Sequence, residues 1–358
     1  MPSQVRMLLH ELAARGHRVP IGTDLILREK PDSEEILYHA DRLGAVIIEA
    51  AGKYKTPLGL PLMDLTVEKQ AMLTALGIPP SEAQTFHFSV DSLPEPGALA
   101  EFLAGFRPET DQRMTAQAHA IRYVAANSDL LPVGMAIGPF SLMTKLLAEP
   151  ITPVYTAGTG ATAAEDEEVA LLEAVLDLSL GILLKYVAFQ IEHGARAMII
   201  CEPAANRVFL SPKQMEKGSD IFDRYVLRPN RQLRSLMAAR GVELILHDCG
   251  ELTDEMLRQL VTLEPAMLSL GSSRLLWEDA AIVPREIVLF GNLPTKKFYS
   301  DDLVTVADVE RMVCELESRM RSVGHPFILG SECDVLSVAG AEAIIRAKVD
   351  TMLTCRCH

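Results

Sequence analysis

The stretch VELILHDCGELTDEMLRQLVTLEPAMLSL, residues 242–270, decides the fold. Residues 242–247 form an apolar run that reads as a strand. Residues 253–262 carry helical periodicity, and residues 266–270 return to a strand. The connections between these segments are only a few residues long.

The same alternation continues outward in both directions. Upstream, a long amphipathic helix is expected from residue 164 to about 194, then a strand over 196–201. A helix over 212–240 follows, with Ser211 as N-cap and Pro212 at its first position. Downstream come a strand at 286–290, a helix at 304–321, a strand at 327–330, a helix at 341–347 and a last apolar stretch at 351–353. Toward the N-terminus the pattern is weaker. Helices are expected at 34–43 and 66–76, an alternating strand at 85–90, and an apolar strand at 131–140 ending in Gly138-Pro139. Residues 151–165, rich in Thr, Ala, Gly and Pro, read as a long loop with Tyr155 as a lid residue.

Strands alternating with helices imply a parallel sheet with helices outside it and right-handed connections. A count of about eight strands favours a closed α/β barrel, the (β/α)8 or TIM type, over an open sheet. No G-x-G-x-x-G or Walker segment supports a nucleotide-binding open sheet. The expected organisation is a single domain over residues 1–358, with an irregular N-terminal segment of about 56 residues.

Nearly half of the 358 residues are hydrophobic but only 5% are aromatic, so aliphatic side chains must fill the core. A formal net charge of −14 repels polyphosphates and anionic lipid, so neither nucleic acid nor membrane is an expected partner. Arg6 and Arg15 are not followed by the apolar run of a leader peptide, and no long uncharged apolar stretch occurs. A cytoplasmic location is expected. The six cysteines, Cys201, Cys249, Cys314, Cys333, Cys355 and Cys357, are then expected as metal ligands, reactive groups or core fillers rather than disulfides. Cys314 reads as helix packing, and Cys355, Cys357 and His358 as a frayed tail or a second metal or redox site.

The chemistry is concentrated in Leu244-Ile245-Leu246-His247-Asp248-Cys249-Gly250. Residues two apart on an extended chain point the same way, so His247 and Cys249 can reach one point. Imidazole and thiolate are the preferred zinc ligands. Gly250 then permits a sharp turn. Ile328-Leu329-Gly330-Ser331-Glu332-Cys333-Asp334 repeats the pattern, an apolar strand followed at once by a cysteine. In a parallel barrel all strands exit on one face, so Cys333 would join the pair. Three protein ligands leave one zinc position open, the mark of a catalytic site. The competing reading is core filling, since cysteine is among the most buried residues.

At these residues the sequence resembles the uroporphyrinogen decarboxylase superfamily, and within it the methylcobamide:coenzyme M methyltransferase branch. The resemblance rests on His247, Cys249 and Cys333-Asp334. It is extended by Ile137-Gly138-Pro139-Phe140-Ser141, Cys201-Glu202-Pro203-Ala204-Ala205, Leu210-Ser211-Pro212-Lys213, Phe290-Gly291-Asn292-Leu293 and Asp64-Leu65-Thr66-Val67-Glu68. It covers residues 57–352. It implies a (β/α)8 barrel, zinc on His247, Cys249 and Cys333, and methyl-cobalamin presented by a partner corrinoid protein. The implied acceptor is a zinc-activated thiol of the coenzyme M kind, or tetrahydrofolate as a pterin. Asp64, Glu68, Asn292, Glu202 and Tyr155 are candidates for the barrel mouth, with Glu202 also a possible fourth ligand. Asp248 and Asp334 are expected to orient the ligands or shape turns. His325 is expected on the opposite face, at the surface.

Two departures bear on function. The arginine-rich segment by which the decarboxylases hold substrate carboxylates has no equivalent, and Ile21-Gly22-Thr23-Asp24 stands in that region. Leu268-Ser269-Leu270-Gly271 lacks the acidic residue that often ends the strand after the zinc pair. A tetrapyrrole decarboxylase and a corrinoid-binding protein without turnover remain as alternative readings.

Overall fold

In the computed structural model, which describes residues 3–357, eight parallel strands form one sheet. They are β1 (Arg18–Ile21), β2 (Leu58–Gly59), β3 (Leu131–Ile137), β4 (Ala197–Cys201), β5 (Glu243–Asp248), β6 (Met267–Leu270), β7 (Val288–Leu293) and β8 (Phe327–Asp334). Their spatial order is β1-β8-β7-β6-β5-β4-β3-β2. The sheet curls into the (β/α)8 barrel expected from the alternation. Its two end strands, β1 and β2, share no ladder among the described residues. The seam is stitched by a side chain instead, as Thr23 Oγ1 donates to the Leu60 carbonyl at 2.7 Å.

Period-two alternation divides the strands between two cores. Met135, Ala197, Ile199, Ile245, Met267, Val288, Phe290 and Ile328 pack together inside the barrel. The helix Gln4–Ala14 adds Val5, Leu9 and Leu12 to that cluster and so closes the barrel floor. Met198, Ile200, Leu244, Leu246, Leu268, Leu289 and Leu329 face the other way, into the larger layer between sheet and helices.

Several expectations are corrected. The N-terminal segment is not irregular: it holds the floor helix, β1 and the helices Thr23–Leu27, Ser33–Ile36 and Ala40–Tyr54. Weak hydrophobic contrast and short elements hid them. Residues 151–165 are not one long loop, because Ile151–Gly158 is a helix. Pro153 lies in its first turn, where the missing N–H has no intrahelical partner to lose. The helix expected over 212–240 is broken: Pro212–Glu216 ends near Gly218, whose φ of 89° is left-handed. A π-turn at Asp223–Leu227 then leads into Arg228–Ala238. Of the strand expected at 85–90, only a single bridge from Phe88 to Leu147 forms. The apolar stretch 351–353 belongs to the helix Glu342–Thr354.

Cys314 is bonded to Cys357, so the expectation that all six cysteines are free thiols fails. The pairing ties the chain after the last helix to the helix Val306–Val323, which sequence spacing alone does not reveal. His358 lies outside the described residues. His325 is buried rather than superficial, with Nε2 3.0 Å from the Ile287 carbonyl. Among the described residues no helix is long and apolar enough to cross a membrane.

The floor helix is held by apolar burial, and Leu9 is fully enclosed. Leu9→Ala is expected to cost about 2–5 kcal/mol through lost transfer energy and a cavity. Urea unfolding of the two proteins checks this, and equal midpoints would refute the floor's role.

Candidate metal centre at the barrel mouth

Parallel registration delivers the cluster. Cys201 lies opposite His247 between β4 and β5, and His247 lies opposite Ser269 between β5 and β6. All three are at the C-terminal ends of their strands. Beyond β5 the chain turns through Asp248, whose Oδ1 accepts from the Gly250 amide at 2.8 Å. Gly250 has no left-handed φ. Its role is close approach, since a Cβ there would meet Asn206 Cβ at 2.7 Å and the Pro203 carbonyl at 2.8 Å.

Cys333 arrives by an irregularity. Val19 of β1 pairs with Gly330, yet Ile21 pairs with Asp334, so β8 uses four steps where β1 uses two. Extra residues re-aim a strand's side chains. Ile328 points into the barrel, and strict alternation would turn Cys333 away from it. The bulged stretch turns it back. The ligand atoms of His247, Cys249 and Cys333 lie within 4.8 Å of one another.

The surroundings fit a metal ion. His247 is buried and its Nδ1 sits 2.9 Å from Ser269 Oγ. With Nδ1–H donating to that oxygen, Nε2 carries the lone pair, and Nε2 is buried without any hydrogen-bond partner. An orphaned acceptor beside two sulfurs is the arrangement that a cation would satisfy. The three residues could therefore hold zinc. The hydrogen bond from Cys333, and then the Lys296 ammonium, against burial, hold the Cys249 thiol well below its usual range. Cys333, donating to Cys249 and buried, is pushed far up.

Lys296 Nζ lies 3.3 Å from Cys249 Sγ. Burial opposes its charge, but the Cys249 and Cys333 sulfurs outweigh this and hold its pKa above the usual value. Met63 Sδ lies 3.7 Å from Cys333 Sγ. Glu332 Oε2 accepts from the Ser272 amide at 3.1 Å. Cys201 stays a buried thiol, its pKa raised by burial and by Cys249.

The other candidates mostly stand apart. The Glu202 carboxylate accepts from the Phe140 and Ser141 amides, Ser141 Oγ and Asn230 Nδ2, so it caps the helix Pro139–Leu146 and is no fourth ligand. Asn292 Nδ2 donates to the Gly271 and Arg274 carbonyls, which fixes the loop after β6. Asp64 accepts from Arg113 at 2.6 Å and caps Thr66. Tyr155 is exposed on a helix, not in a lid loop. Asp248 and Asp334 are buried acids whose pKa values burial raises well above the usual range. Sequence reading missed Lys296, Met63 and the Ser269 contact. The last had a visible signal, because a serine at an inward strand position beside a ligand histidine can orient it. A cavity of about 1400 Å³, lined by His17, Arg18 and Phe327 among others, opens at the opposite face and has no part in the cluster.

A (β/α)8 barrel with an open His-Cys-Cys cluster at its C-terminal mouth defines a class of candidate catalytic metal centre. The family of uroporphyrinogen decarboxylase (URO-D) matches residues 24–350, and the chain belongs to that family. No curated protein matches it. Among solved structures it is similar to a methyltransferase from Methanosarcina mazei, with a TM-score of 0.65, 16% identity and 97% of each chain covered. It is also weakly similar to the apo form of 3-keto-D-glucoside 4-epimerase from E. coli, with a TM-score of 0.38 and 11% identity over 72% of this chain and 94% of that one.

Two measurements test the electrostatics. Ser269→Ala removes the partner of His247 Nδ1 and is expected to weaken zinc binding about 10–100-fold, read by chelator competition. Unchanged affinity would refute the orienting role. Glu68 is fully buried, accepts from the Ile137 amide at 3.0 Å, and has its carboxyl pushed up to about 7 by burial and then by Asp64. Its folded pKa exceeds the unfolded one, so the folded state holds the proton more tightly. Stability therefore falls as pH rises from about 4.5 to about 7, by roughly 3 kcal/mol in all. Glu68→Gln is expected to flatten this slope in unfolding curves taken across that window.

Proposed function

We propose that the chain is a methyltransferase that moves a methyl group from a methylated corrinoid, presented by a partner corrinoid protein, to an acceptor bound at zinc. His247, Cys249 and Cys333 are the ligands, and the open side of the ion receives the acceptor, a thiol of the coenzyme M kind or a tetrahydrofolate-like pterin. The observation that carries this reading is the orphaned Nε2 of His247, buried beside two cysteine sulfurs. The fold likeness to a methyltransferase is compatible with it.

Zinc held there would lower the pKa of an acceptor thiol and present it as a thiolate at neutral pH. The chain's own residues prepare that event. Ser269 fixes the ring orientation of His247. Burial of His247 and Asp248 keeps water from the barrel side of the cluster, while the partly exposed Cys249 and Cys333 face the mouth. A methylated corrinoid presented at the mouth would supply an electrophilic methyl group, the acceptor atom taking the methyl carbon while the bonding electron pair stays on the donor. The polar residues around the mouth supply positioning rather than covalent chemistry. The absence of an early arginine-rich segment, noted in the sequence, argues against a polycarboxylate tetrapyrrole as substrate.

Elemental analysis of wild type and Cys333→Ser provides the test, coupled to methyl-cobalamin turnover with candidate thiols and pterins. One zinc per chain, lost together with methyl transfer in the variant, is the expected result. A wild-type protein that takes up no zinc when supplied would sink the proposal.

A further inference from the structure

The open centre carries a hazard on the proposed reading. Two protein thiolates and an acceptor thiolate would surround one dication, and all three sulfurs are nucleophiles toward a methyl group. Transfer to a ligand cysteine would convert it to a thioether and weaken the site. The chain therefore has to make its own sulfurs poorer nucleophiles than the acceptor.

Lys296 is placed to do this at one of them. It sits in the short 3-10 turn Thr295–Lys297 directly after β7, with its Nζ 3.3 Å from Cys249 Sγ. Among the described residues it forms no ion pair with a carboxylate, although acids outnumber bases in the chain. The turn is anchored on the cluster's other side as well, because buried Thr295 donates its hydroxyl toward the Cys333 carbonyl at 3.4 Å. The two cysteines are thus treated unequally. Cys249 receives a charged side-chain N–H donor, whereas the Cys333 thiol itself donates to the Met63 thioether at 3.7 Å and has no charged side-chain donor within hydrogen-bond reach. A charge-assisted hydrogen bond withdraws electron density from the lone pair it engages.

We infer that Lys296 is a positioning residue that suppresses alkylation of Cys249, steering the methyl group to the bound acceptor rather than to the protein. The inference rests on the zinc reading above. Alkylation of an unprotected ligand needs only an electrophilic methyl donor. The sulfur lone pair forms the S–CH3 bond, the leaving group departs with the bonding pair, and the resulting thioether no longer carries the negative charge that held the metal.

The test uses the zinc-loaded full chain without acceptor and iodomethane as the probe. Peptide mass spectrometry reads S-methylation at Cys249 and Cys333 separately, and a chromophoric chelator reads zinc release. In the wild type, Cys249 is expected to react more slowly than Cys333. Lys296→Met is expected to raise the Cys249 rate about tenfold, the scale of one charged hydrogen bond, and to raise the Cys333 rate clearly less, since the lysine charge reaches that sulfur without a hydrogen bond. Lys296→Arg, which keeps a charged donor, is expected to restore the wild-type rate. Equal Cys249 rates in wild type and Lys296→Met, with one zinc bound in each, would overturn this inference alone. So would an equal acceleration at both cysteines, which would mark a general charge effect. A wild-type chain that binds no zinc would overturn both this inference and the metal reading.

Discussion

The backbone ladder that seats β5 between β4 and β6 is the constraint on which the rest of the site depends. It places His247 level with Cys201 on one side and Ser269 on the other. A ladder fixed by hydrophobic alternation cannot slip by one residue without turning Ile245 and Met267 out of the barrel. The apolar interior therefore sets the register, and the register brings the His247 ring beside the Ser269 hydroxyl. The orphaned Nε2 is a consequence of packing that begins several residues lower in the barrel.

That packing also explains why the mouth tolerates so many buried polar groups. Glu202, Asp248, Glu68 and Asp334 are all enclosed, and burial raises each carboxyl's pKa. Uncompensated, such groups are costly. Glu202 is offset by four hydrogen bonds, whereas Asp248 takes only the Gly250 amide and Glu68 only the Ile137 amide, and each of these two keeps one buried oxygen without a partner, as does Asp334. These contacts pin the strand ends and the turns after them, which is where a site made from several strands needs rigidity.

The regular half of the chain was legible because its strands are unbroken apolar runs and its helices are long. β4 to β8 fall where alternation puts them, and the 26-residue helix Glu167–Glu192 was evident from its periodicity. The first barrel strands were not legible. β2 is two residues long, and β1 contains Pro20, so neither carries a periodic signal. At the cluster, His247 and Cys249 were readable because extended geometry fixes i and i+2 on one side. Cys333 was suggested by its strand end, but its aim depends on the irregular register opposite Ile21, which no local pattern encodes. Lys296 was invisible for a different reason: an exposed lysine in a turn looks like any solvated charge until the fold brings Cys249 beside it.

Fold likeness and site chemistry carry different weight here. A 16% identical structure that covers nearly the whole chain fixes the architecture and leaves the reaction open. The barrel offers the same rim to many chemistries, and what distinguishes this rim is its local inventory. Two sulfurs and a buried imidazole supply soft donors. A lysine faces one sulfur and a thioether faces the other. Such a set offers soft donors to a cation, and its two sulfurs stand in unequal side-chain surroundings, an ammonium beside Cys249 and a thioether beside Cys333. Inequality of that kind is unnecessary for a purely structural site, where all ligands share one task. It is useful where an entering nucleophile must outcompete the sulfurs that hold it in place.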